Sequence, residues 1–173
     1  MLDFLVPIMR RVFGGVLGAA TLITVAMALP PASFAQSQTQ ARNKAAIQKS
    51  FDAWSSGTGS PYDLLADDVR WTIEGNSLAS KTYPSREAFM SEVIRPFNAR
   101  MRAPLKPAIR NLYTDGDTVI AFFDARGMAR DGQPYANTYA WFLEMRAGRI
   151  VRASAFFDSV LFNEFWTRVS PDP

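Results

Sequence analysis

Cysteine and histidine are both missing from the 173 residues. Without cysteine there is no disulfide and no thiolate nucleophile, so the core alone must hold the chain together. Without histidine there is no Ser-His-Asp or Cys-His machinery and no histidine-based zinc or haem site. Acid–base work is left to Asp, Glu, Tyr, Lys or water. A strong charge imbalance is also absent: 19 Lys and Arg stand against 16 Asp and Glu, a formal net charge of +3. The basic residues are scattered instead of clustered in a stripe, which argues against nucleic acid as a partner. Isolated carboxylates without a spaced cluster imply no metal, and no motif implies an organic cofactor. Internal repeats and low-complexity segments are lacking too.

One long uncharged run is present, at the N-terminus. Arg10 and Arg11 precede Val12 to Leu29, Pro30 and Pro31 follow, and small Ser33 and Ala35 flank Phe34. A basic flank, an apolar stretch, a helix-breaking step and small residues at the cleavage subsites make up a secretory signal. The pattern predicts a signal peptide over residues 1–35, cleavage after Ala35 and a periplasmic or secreted product. An uncleaved membrane anchor is the alternative, because the run is close to the minimum for a span. Loss of Asp3, Arg10 and Arg11 would change the charge from +3 to +2. Residues 36–40 read as a polar linker, and residues 41–170 as one domain of about 130 residues.

Within that domain helices come first and strands follow. Ile47, Phe51 and Trp54 recur at helical spacing and predict a helix over 41–54, ended by Gly57, Gly59 and Pro61. A short helical piece is expected over 62–66. Val69, Trp71 and Ile73 alternate with polar residues, as in a strand with one covered face. Ser85 can cap a helix carrying Phe89, Val93 and Phe97, which Pro96 should kink or end. Runs at 108–113, 118–129, 135–146 and 149–157 are separated by Asp115-Gly116, Asp131-Gly132 and Ala147-Gly148. Such turns between β-prone runs predict antiparallel hairpins. Gly127 suggests a bulge that bends the sheet, and a terminal helix is expected over 160–167. The order gives an α+β class, with helices packed in the concave side of a curved antiparallel sheet.

Four segments carry a family resemblance: LLADDVRW at Leu64 to Trp71, the TDGDTV turn, the DGQPYANTYAWF strand and the GRIVRASAFFDSVLF ending. With the first helix, they make residues 41–166 resemble the SnoaL-like branch of the nuclear-transport-factor-2-like (NTF2-like, ketosteroid isomerase-like) superfamily. The resemblance implies a cone-shaped fold, a homodimer joined through the outer sheet face, and a cavity that receives alternate residues of the sheet. It says little about chemistry, since one fold hosts many activities.

By that resemblance the inward residues are Trp71 and Ile73, then Phe122, Asp124 and Arg126, then Asn137, Tyr139 and Trp141, then Ala153, Ala155 and Phe157. They suggest a site for a small hydrophobic or aromatic molecule, with a filled cone interior as the alternative. Asp124 sits in VIAFFDARG beside apolar neighbours. Desolvation there would make it a general acid or base for an isomerase, cyclase or lyase, with Tyr139 as its catalytic companion. The bland alternative pairs Asp124 with Arg126, Tyr139 or Asn137.

Departures from the family's enzymes are plain. Of the epoxide hydrolases' Asp-Arg-Asp set only Asp124 matches, with Phe122 and Ala155 at the other two positions. Where the isomerases place a second acid, Ala140 stands. A non-catalytic ligand-binding or homodimeric scaffold module is the second reading. Glu74, Asp67 and Asp68 are read as solvated, and Asp158 as the cap of the last helix.

Overall fold

A computed structural model of the chain describes residues 31–171. The predicted signal peptide therefore lies largely outside the described residues, and among these no helix is long and apolar enough to cross a membrane.

Helix α1, Pro31–Ser56, begins ten residues before the predicted start. Residues 36–40 are thus helical turns and not a loose linker, and the expected cleavage point after Ala35 falls inside this helix. Its buried stripe is Asn43, Ile47, Ser50 and Phe51, and Ser50 Oγ satisfies itself on the Ile47 carbonyl at 2.8 Å. Gly57, at φ +77°, ends the helix. The Thr58 amide donates to the Ala53 carbonyl at 2.8 Å and the Gly57 amide to that of Trp54 at 3.1 Å, the bond pair of a glycine-terminated helix.

A 3₁₀ turn, Pro61–Leu64, leads into β1, Leu65–Ile73, and a two-residue strand β2, Thr82–Tyr83. Next come α2, Arg86–Phe89, a π-helical turn, Met90–Ile94, and α3, Arg95–Ala99. Ser85 caps α2 as predicted, accepting from the Ala88 amide. Pro96 does not end the helical run; it sits in the first turn of α3, where the missing N–H is tolerated. Just before it, the Arg95 amide bonds back to the Met90 carbonyl, the longer π-type spacing.

Four long strands complete the sheet: β3, Met101–Asp115; β4, Thr118–Ala129; β5, Pro134–Arg146; and β6, Arg149–Phe157. The order is β2-β1-β6-β5-β4-β3. All neighbours are antiparallel except β1 and β6, which run parallel. Strand β3 starts seven residues earlier than predicted because it is an edge strand, where Pro104 and Pro107 are tolerated. The irregularity expected at Gly127 falls on its partner. The β4–β5 register runs unbroken through Gly127, whereas β3 shifts between Ala103 and Lys106. Gly127 leaves room for that shift: a Cβ there would sit 3.1 Å from the Ala103 carbonyl oxygen and 3.2 Å from Leu105 Cα.

Helix α4, Ser159–Arg168, follows β6, and Asp158 caps it by accepting from the Val160 and Leu161 amides. The helices lie in the concave side of the sheet, with Phe51 of α1 edge-on to Phe123 of β4 and Trp141 of β5. The α+β cone is the fold that the sequence predicts.

Candidate functional site

Alternation decides what each strand sends inward. In β5, Asn137, Tyr139 and Trp141 are buried, as predicted, and Tyr135, Leu143 and Met145 continue the same face. In β4 the buried set is Val119, Ala121, Phe123, Ala125 and Ala129. Their cross-strand partners confirm it, since Phe123 faces Tyr139, Ala121 faces Trp141 and Ala125 faces Asn137. Phe122, Asp124 and Arg126 therefore lie on the outer face, one residue out of phase with the sequence reading.

Asp124 is thus not in the cone. Arg110 of the edge strand holds it with a fork of two bonds, Nε to Oδ2 at 2.7 Å and Nη2 to Oδ1 at 2.8 Å. Thr138 Oγ1 donates to Oδ1 at 2.7 Å. The Arg110 bonds first, then that of Thr138, push its pKa below the ordinary aspartate value, the reverse of what an acid–base role needs. Its hydrogen-bond partners are not the Arg126, Tyr139 or Asn137 expected from sequence, although the Arg126 charge also favours the carboxylate. Phe122 supports the same outer cluster, with the Arg110 guanidinium 4.9 Å from its ring centre.

Asn137 is buried, yet its amide is spent on structure. Nδ2 donates to Tyr135 Oη at 3.2 Å and to the Asp158 carbonyl at 3.0 Å. Oδ1 accepts from the Thr138 and Asp158 amides at 2.8 and 3.0 Å. It ties β5 to the entrance of α4 and takes no place in the cavity wall.

Of the remaining predicted residues, Ala153 is buried outside the cavity lining and the others converge. Trp71, Ile73, Tyr139, Trp141 and Phe157 all line a cavity of about 490 Å³ inside the cone, within the few-hundred-ångström-cubed range of small-molecule sites. The helical wall supplies Phe89, Met90, Val93, Ile94 and Phe97, and Trp54 and Tyr62 come from the first helix and the turn after it. Sequence reasoning missed this wall as a lining, although it placed Phe89, Val93 and Phe97 together on one helix. The rings brace one another: Trp71 stacks on Phe89 at 4.4 Å and 13°, and Trp54 on Trp141 at 5.9 Å and 14°.

Polar groups in this wall are few and mostly donors. The indole Nε1 atoms of Trp71 and Trp141 are buried with no acceptor among the described residues. Tyr139 Oη lies 3.2 Å from Tyr135 Oη. Either hydroxyl can donate to the other, and Tyr135, outside the lining, also accepts from Asn137. Tyr139 stands in the cavity wall, where a guest can meet its hydroxyl. Burial holds the Tyr62 and Tyr139 phenols well above the usual tyrosine range, so both are neutral donors at ordinary pH. The lining contains no Asp or Glu. Among the described residues no cluster of His, Cys, Asp and Glu of metal-binding size is found.

Residues 47–153 match the family of SnoaL-like domains. No curated protein gives a significant sequence match. Among solved structures, Bal32a from a soil-derived mobile gene cassette is 19% identical, with a TM-score of 0.61, over 74% of this chain and 98% of its own. An NTF2-like protein of unknown function from Burkholderia pseudomallei is 18% identical at a TM-score of 0.60, covering 72% and 97%. TerC, co-crystallised with polyporic acid, is 19% identical at 0.58, covering 72% and 98%. These likenesses establish the shape, one shared with NTF2-like proteins, and the sequence match places it: this chain belongs to the SnoaL-like family.

Proposed function

We propose that this is an exported binding domain whose cone holds a small, largely apolar, ring-bearing molecule. The observation that carries the reading is the cavity of about 490 Å³ walled by aromatic and aliphatic side chains. A ring-bearing guest would lie against the aromatic lining, and a polar group on it would meet the Tyr139 hydroxyl. TerC, a protein of the same kind of fold, was co-crystallised with the small molecule polyporic acid. Export is supported by the order of residues 1–35: basic, apolar, then small. Proton abstraction is not part of the proposal, because no carboxylate lines the cavity and the phenols there are held protonated. Native mass spectrometry of protein taken from its own compartment tests the reading. A retained small molecule, released on denaturation, supports it; a chain that is empty and takes up no added apolar probe counts against it.

The outer sheet face favours a second, compatible reading, a homodimer. Tyr113, Phe142 and Phe156 are exposed there, with Phe142 and Phe156 in ring contact at 6.0 Å. Apolar surface of this kind is covered in interfaces. Sedimentation of the native chain and of Phe142→Lys distinguishes a dimer that dissociates from a chain that is monomeric throughout.

A further inference from the structure

The lining side chains include one charge. Arg102, at the start of β3, is the single ionised residue among those facing the cavity, and it is exposed, as are its lining neighbours Asn98 and Pro104. The buried lining residues Trp71, Ile73, Trp141 and Ala155 form the far wall. The cavity thus opens between the end of α3 and the start of β3, with a guanidinium at its mouth.

Nearby arginines are committed elsewhere. Arg95 is forked onto Glu87. Arg100 is buried 4.1 Å over the Trp166 ring and donates to the Pro96 and Trp166 carbonyls. Among the described residues no carboxylate pairs with Arg102. An unpaired guanidinium at the rim of a low-dielectric cleft focuses a positive potential into it. It also offers the fork that fits a carboxylate or sulfonate.

We propose that the ligand is an amphipathic organic anion: a ring-bearing apolar body in the cone, with an acidic group held at the mouth by Arg102. This rests on the binding reading above and adds the charge of the ligand and the residue that selects it.

The test uses two probes with the same ring body, anionic 1-anilinonaphthalene-8-sulfonate and neutral N-phenyl-1-naphthylamine, titrated into the full-length chain and followed by energy transfer from tryptophan. The quantity read is the ratio of their affinities in the native protein, Arg102→Gln and Arg95→Gln. The expected result is a preference for the anion that falls about tenfold in Arg102→Gln and by less than about twofold in Arg95→Gln, whose charge is already paired. An unchanged ratio in Arg102→Gln overturns the proposal while leaving the cavity reading intact, as does an equal fall in both variants. Binding of the neutral probe alone overturns only this inference, whereas failure of both probes to bind the native chain removes the binding reading itself, and this inference with it.

Discussion

The ring of Phe123 lies flat against that of Tyr139, 4.9 Å between centroids and 9° between planes. That contact sets the phase of β4. With Phe123 inside, Asp124 must point outward, and the carboxylate that looks like a catalytic group in the sequence becomes the anchor of Arg110.

Asp124→Asn is therefore expected to leave probe binding unchanged and to alter acid stability. The folded carboxyl sits below its unfolded value. Its contribution is thus present above about pH 4, the unfolded value, and is lost as pH falls through the folded one. Urea melts at pH 7 and pH 3 should show the native protein losing stability on acidification more steeply than the variant.

Gly127→Ala tests the crowding between β4 and β3. The added methyl would meet Met101 Cε at 2.5 Å as well as the backbone of Ala103 and Leu105. The methionine can swing aside but the backbone cannot, so a loss of about 1–3 kcal/mol is expected in chemical denaturation. Met101 and Leu105 line the cavity, so probe affinity should fall as well.

Ala147 is the one described non-glycine residue at positive φ, +49°, beside Gly148 at +77° in the turn between β5 and β6. A two-residue turn of this hand prefers Asn-Gly. Ala147→Asn is expected to stabilise the protein by about 0.5–1 kcal/mol, measured as a higher urea midpoint with an unchanged slope.

Tyr83, pushed up to about 12, joins Tyr62, Tyr135 and Tyr139 among phenols that burial raises. Groups raised on folding stabilise fully below the unfolded value of about 10, and that stability is lost as pH climbs toward the folded values. Ultraviolet titration should show fewer tyrosines ionised in the native chain than in urea at about pH 10.5, followed by a cooperative alkaline transition.

The strengths and failures of the sequence reading share a cause. The family resemblance placed Asn137, Tyr139 and Trp141 of PYANTYAWF on the inward face, and the alternation holds there because a strand in a one-sided sheet must bury one parity. In TVIAFFDARGMA both parities carry large apolar residues, so the pattern is ambiguous. The usable signal was that Asp124 and Arg126 share a face while Val119, Ala121, Phe123 and Ala125 are uncharged. The pairing of Asp124 with Thr138 depends on the register set at the Asp131-Gly132 turn, which composition does not encode. The wall from Met90 to Asn98 depends on a π turn, a shift in hydrogen bonding that leaves only Pro96 as a trace. Asn137 was legible as buried, but not as a clamp, since its partner Asp158 is 21 residues away.

The most direct measurement is a titration of the native chain and of Ala155→Leu with N-phenyl-1-naphthylamine, with urea stability determined alongside. Ala155 is buried, lines the cavity and opposes Trp141 across the sheet, so leucine there fills space that a guest would use. The account predicts saturable binding to the native chain, weakened at least about tenfold in a variant that still unfolds cooperatively. Equal affinity in the two proteins, or no saturable binding to either, would contradict it.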